Sequence, residues 1–130
     1  MKTLTSRINE ALKIGKNLSS FSTYSWQPKT KDELKSIIDD RIEKEGFNCD
    51  LNDIDTSLIT DMSELFADSK FNGDISKWDV SNVTNMRNMF VFSKFNQDIS
   101  NWNIRPDCST KYMFLDCPIR REHKPKSLQK

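Results

Sequence analysis

Cysteines, a lone histidine and a crowd of carboxylates are the side chains here that could carry chemistry. Cys49, Cys108 and Cys117 form an odd set without C-x-x-C spacing, so neither a zinc site nor a disulfide framework is indicated. Buried or bystander thiols in a reducing compartment are expected. His123 falls in a basic C-terminal stretch, which gives a Ser/His/Asp or Cys/His arrangement little support. The string "DLNDIDTSLITD" is oxygen-rich like a calcium loop, yet lacks the central glycine and terminal glutamate of an EF-hand. Glycine, at 3, is too scarce for a phosphate-cradling loop. The expectation is therefore no catalytic residue, no metal and no cofactor, and a chain that is not an enzyme. What remains is recognition.

The residues that could recognise a partner depend on an internal repeat. "TDMSELFADSKFNGDISKW" and "TNMRNMFVFSKFNQDISNW" are near copies, and Met62/Met86, Phe66/Phe90, Phe71/Phe95, Ile75/Ile99 and Trp78/Trp102 are each 24 positions apart. A third unit begins at Trp102, keeps Met113 and Phe114 in register, and then decays. This period lies in the range where each unit buries its apolar edge only against its neighbours. Leu51-x-x-Ile54-x-Thr56, Ile75-x-x-Trp78-x-Val80 and Ile99-x-x-Trp102-x-Ile104 follow the L-x-x-L-x-L skeleton, which predicts a short strand on one side of each coil. Met62, Leu65, Phe66 and Met86, Met89, Phe90 fall at i, i+3, i+4 after Thr60 and Thr84, predicting a short helix on the other.

If the strand residues alternate, Asp53, Asp55, Lys77, Asp79, Asn101, Asn103 and Arg105 point outward as a ridge. Asp55 and Asp79 would then be neighbouring like charges, either awaiting a cationic or amide-bearing partner or belonging to an ordinary polar face. Tyr24 and Trp26, in the loop "FSTYSWQP", are a second candidate patch, or else anchors for that loop.

Upstream, residues 3–18 have helical apolar spacing. "TKDELKSIIDDRIEKEG" carries a capping box at Thr30 and Glu33, an apolar stripe of Leu34, Ile37, Ile38 and Ile42, and a stop at Gly46. The fold class expected is α/β: a short leucine-rich-repeat-like solenoid of parallel strands and short helices, capped by N-terminal helices. Residues 1–50 are read as the helical cap, 51–118 as the solenoid and 119–130 as a basic flexible tail.

The string "WDVSNVTNMRNMFVFSKFNQDISNW" resembles the repeat of BspA-like leucine-rich repeat proteins, over roughly residues 50–116. The segment "PKTKDEL" also resembles the lead-in to such repeats. That resemblance implies a solenoid used for adhesion or protein binding, without catalytic activity.

Charge narrows the partner. With 20 basic and 19 acidic residues the net charge is +1, so the whole chain has no bias toward nucleic acid or membrane. The first residues hold no apolar core of signal-peptide length, and a cytoplasmic location is expected, or the cell surface if an export signal has been removed. The function expected is stoichiometric binding of an unidentified protein by a monomer or weak homodimer, without membrane insertion. Three alternatives stand beside it. They are a small phage or mobile-element inhibitor docking on a host protein or nucleoprotein, nucleic-acid binding through the basic residues Arg120, Arg121, Lys124, Lys126 and Lys130, and a surface adhesin.

Overall fold

The computed structural model describes residues 26–129. The helix predicted at residues 3–18 and the aromatic Tyr24 lie outside them.

Helix α1 (Lys31–Glu45) forms where its punctuation predicts. Thr30 Oγ1 accepts the Glu33 N–H at 3.2 Å, and Glu33 Oε2 accepts the Lys29 N–H at 2.8 Å, so two free donors at the helix start are satisfied. Gly46 ends the helix at φ 91°, donating its N–H to Ile42 O at 2.8 Å. Leu34, Ile37 and Ile38 are buried in one core with the repeat residues. Fully burying such a side chain contributes about 1.5–3 kcal/mol. Arg41 clamps the helix to the first coil: its guanidinium bonds both Asp53 oxygens (2.8 and 2.9 Å) and the Asp50 carbonyl (2.9 Å), and also meets Glu45.

The repeat units stack in register, and their aromatic residues form columns. Phe66, Phe90 and Phe114 stack at 5.5 and 5.7 Å, Phe71 on Phe95 at 6.2 Å, and Trp78 on Trp102 at 6.4 Å. Each such pair adds about 0.5–1.5 kcal/mol beyond burial. The indole N–H groups of Trp78 and Trp102 donate to the Leu51 and Ile75 carbonyls at 2.9 and 3.0 Å, tying each coil to the one before.

The predicted α/β class is overturned. Among the described residues the regular elements are α1 and two 3-10 turns, Arg121–His123 and Lys126–Leu128. No strand forms. Three isolated parallel bridges form instead: Trp26 with Ile54 in an expected strand segment, and Asp61 with Asn85 and Asn85 with Ser109 on the side where helices were expected. The described residues form no solenoid of strands and helices.

The reason lies in side chains that compete for the backbone. In each L-x-x-L segment a carboxylate accepts the N–H two residues on: Asp50 from Asn52, Asp55 from Ser57, Asp74 from Ser76, Asp79 from Ser81, Asp98 from Ser100. These local bonds hold the chain in reverse turns, closed by Ile54 N–H to Leu51 O, Trp78 to Ile75 and Trp102 to Ile99, and divert it from a strand.

On the opposite side the predicted helix is replaced by consecutive turns. Glu64, Asp68, Asn88, Phe92, Tyr112 and Asp116 all take φ between 53° and 59°, which no α-helix tolerates. Alternate N–H groups close local turns, as Leu65 to Met62 and Ala67 to Glu64. The others reach the next coil. Those of Met62, Glu64, Phe66 and Asp68 donate to the carbonyls of Asn85, Arg87, Met89 and Val91 at 2.8 to 3.0 Å. Stacking supplies the acceptors that a helix would otherwise find within itself.

Candidate functional site

The outward residues of the turns are unequal. Asp53 is held by Arg41, whose side chain is only 12% exposed. Asp55 accepts from Gln27 Nε2 and the Ser57 N–H, both at 2.9 Å. Asp79 accepts the Ser81 N–H at 2.9 Å, and the Ser81 hydroxyl and N–H hold its carboxyl below the usual range. Asp55 and Asp79 thus cap turns within the fold, and Asp53 is engaged in the clamp to α1. Lys77 is exposed, and its N–H is held by Asn52 Oδ1 at 2.9 Å. Trp26 is half-buried, packs on the core, and offers its carbonyl to the Asp55 N–H at 2.7 Å.

At the C-terminal end the ridge changes character. Asn101 and Asn103 are exposed, and among the described residues their side chains make no hydrogen bond. With Trp102, Ile104, Lys126 and Ser127 they line an open cleft of about 230 Å³. Arg105 stands beside it, forked onto Asp107 at 2.8 and 3.0 Å, a contact that raises the guanidinium and lowers the carboxyl.

The wall of the cleft is set by the last coil and the chain that follows. Ile119 is buried, and the Ile99 N–H donates to His123 O at 2.9 Å. His123 Nδ1 lies 3.1 and 3.0 Å from the main-chain and side-chain oxygens of Asn96. Asn96 Oδ1 also accepts the Arg120 N–H at 2.9 Å, repeating the bond that Asn72 Oδ1 makes to the Asn96 N–H. So the asparagine column places residues 120–123, and these lead Lys126 to the cleft.

Chemically this face offers amides and a cation. Burial pushes the thiols of Cys49 and Cys108 up, away from reactivity. Cys117 stands where the previous coils have Ser69 and Ser93, its Sγ 3.2 Å from Phe95 O. Among the described residues no group of three or more His, Cys, Asp or Glu side chains could hold a metal ion, and no helix is long and apolar enough to cross a membrane.

Sequence reasoning brought Asn101, Asn103 and Arg105 to one end, and it missed the partners that occupy Asp53, Asp55 and Asp79. The signal was there as a recurring Asp-x-Ser, at Asp55, Asp61, Asp74, Asp79 and Asp98. It also passed over Phe92, Tyr112 and Leu115, which are 55%, 56% and 47% exposed on the turn side. One family profile, described as "Mycoplasma protein of unknown function, DUF285", matches residues 32–123. No curated protein and no solved structure matches the chain.

Proposed function

The chain belongs to the DUF285 family, and from that premise we propose a non-enzymatic protein-interaction module that binds a partner protein stoichiometrically. The observation carrying this reading is the pair Asn101 and Asn103, exposed and, among the described residues, unbonded beside a cleft that also presents Lys126. Amides that a fold leaves unpaired at a concave surface suit a polar partner surface. The finer likeness to BspA-like repeats supports the same role, since that resemblance implies adhesion or protein binding.

The experiment is a tagged pull-down from the source cell's lysate, with and without nuclease, comparing the native chain with Asn101→Lys/Asn103→Lys. A stoichiometric protein captured despite nuclease, and lost from the double variant, is the expected result. Equal capture by both would remove the asparagine face from the site. Capture that vanishes with nuclease would shift the reading to nucleic acid and the basic residues beyond Ile119. Asp55→Lys and Asp79→Lys are poorer probes, because both carboxylates cap turns.

A further inference from the structure

The second and third coils carry the same turn ladder, but the edge of the second is occupied and that of the third is not. The N–H groups of Met86, Asn88, Phe90 and Phe92 donate to Ser109, Lys111, Met113 and Leu115 at 2.8, 3.0, 2.9 and 2.9 Å. One repeat later the equivalent groups belong to Thr110, Tyr112, Phe114 and Asp116, and among the described residues none accepts from them. The backbone is the same: φ is 57° at Tyr112 and 53° at Asp116, against 56° at Asn88 and 54° at Phe92. Neighbouring carbonyls are already engaged. Those of Ser109, Lys111, Met113 and Leu115 accept from the second coil, and those of Thr110, Tyr112 and Phe114 accept from Met113, Leu115 and Cys117. From Thr110 to Leu115 the main chain of this edge presents donors only.

A donor-only edge is selective. An ordinary strand edge brings its own N–H groups alternating with carbonyls, and those would meet donors. A two-fold pair of this chain would set donors against donors. Head-to-tail stacking would need the far end of the first coil, where α1 already stands with Lys31 Nζ on Ser63 O and Oγ at 3.3 and 3.0 Å. What fits is a segment rich in acceptors. Lys111 Nζ sits 5.2 Å from the Tyr112 ring centre and Lys124 Nζ 5.4 Å from that of Phe114. Neither lysine pairs with a carboxylate among the described residues. Asp116 is a carboxylate of opposite effect on the same edge. Exposed Phe92, Tyr112 and Leu115 supply apolar surface beside the donors.

The geometry points to an acidic segment of a partner protein as the occupant: Asp or Glu side chains received by the N–H groups of Thr110, Tyr112, Phe114 and Asp116 and flanked by Lys111 and Lys124, with apolar residues between them on Tyr112 and Leu115. Charge-assisted bonds to backbone N–H groups give such contacts their strength. This edge is separate from the asparagine face, so either site can fail without the other.

The test uses the full chain labelled with nitrogen-15 and a short fluorescein-labelled peptide of alternating Asp and Leu. Saturable binding is expected, weakening as salt rises. The amide resonances of Thr110, Tyr112, Phe114 and Asp116 should move, and those of Asn88 and Phe90 should not. Lys111→Glu with Lys124→Glu should weaken binding roughly tenfold or more. If that variant fails to fold, the amide map of the native chain decides. The proposal falls if binding is absent, if the shifts centre on Asn101 and Asn103, or if an alternating Lys-Leu peptide binds equally well. It also falls if a uridine oligonucleotide displaces the peptide at lower concentration, or if sedimentation shows that the edge is closed by a second copy.

Discussion

The second coil and the third share Trp, Met and Phe at matching positions, and those residues live in different surroundings. Phe90 is fully buried, with Phe66 on one face at 5.5 Å and Phe114 on the other at 5.7 Å. Phe114 has Phe90 on one side and the Lys124 ammonium over the other, and is only half-buried. The same phenylalanine is therefore core in one unit and boundary in the next. In a stack, burial is lent by the neighbours, so a residue's energetic role follows from its position as much as its type.

That contrast can be broken most forcefully by truncation. Phe90→Ala should cost about 3–5 kcal/mol, and Phe114→Ala less than half as much. Urea denaturation of both would measure it, and equal losses would mean that the third coil is as well covered as the second.

Next in size is a contrast between the first coil and the second at one column. A Cβ on Gly73 would lie 1.9 Å from the Cys49 carbonyl oxygen, so Gly73→Ala forces two backbones apart and should cost about 1–3 kcal/mol. Gln97 occupies the same place one repeat later, and Gln97→Ala should stay within about 0.5 kcal/mol. A tolerated Gly73→Ala would show that the first coil is not held as close to residues 47–49 as the Asn72 N–H to Phe47 O bond of 2.8 Å indicates.

A smaller effect has the opposite sign. Phe92 is exposed and left-handed, a conformation that costs an L-residue about 1–2 kcal/mol, so Phe92→Gly should raise stability by about 1 kcal/mol. Asn88→Gly, at an equally left-handed position, should gain only a few tenths of that because asparagine tolerates the region. Thermal melts of the pair would order them, and a reversed order would put the strain elsewhere in the turn.

The smallest expected effect is in acid. The Ser76 N–H and hydroxyl hold Asp74 below the ordinary carboxylate range, and the hydroxyls and N–H groups of Ser81 and Ser100 do so for Asp79 and Asp98. Because these folded-state values are depressed, the caps stabilise the fold above the unfolded value of about 3.9. That contribution disappears as pH falls from there through the folded values. An acid titration of the Ser76, Ser81 and Ser100 amide resonances should show midpoints below about 3.9. The third coil has Asn103 at the column of Asp55 and Asp79, so its turn should not respond.

Local signals were readable wherever a few adjacent residues decide the outcome. Thr30 with Glu33, the Leu34–Ile37–Ile38 stripe and Gly46 specify α1, because capping and amphipathic spacing act within one helix. The period of 24 was equally plain and determined which residues stack, from the phenylalanine columns to the paired tryptophans. In the same strings, the spacing of Met62, Leu65 and Phe66 argued for a helix, and Ile75-x-x-Trp78-x-Val80 for a strand. Both readings failed.

The sequence by itself determined the register of the repeat, its inward residues and its leading helix. Only the tertiary structure decided how the backbone runs between those residues, which carboxylates are engaged in turns, and that the last coil ends in donors unanswered among the described residues. Backbone N–H groups must find acceptors, and in the turn segments of the first two coils about half find them one coil away. A local pattern cannot register an acceptor that the chain supplies 23 residues later.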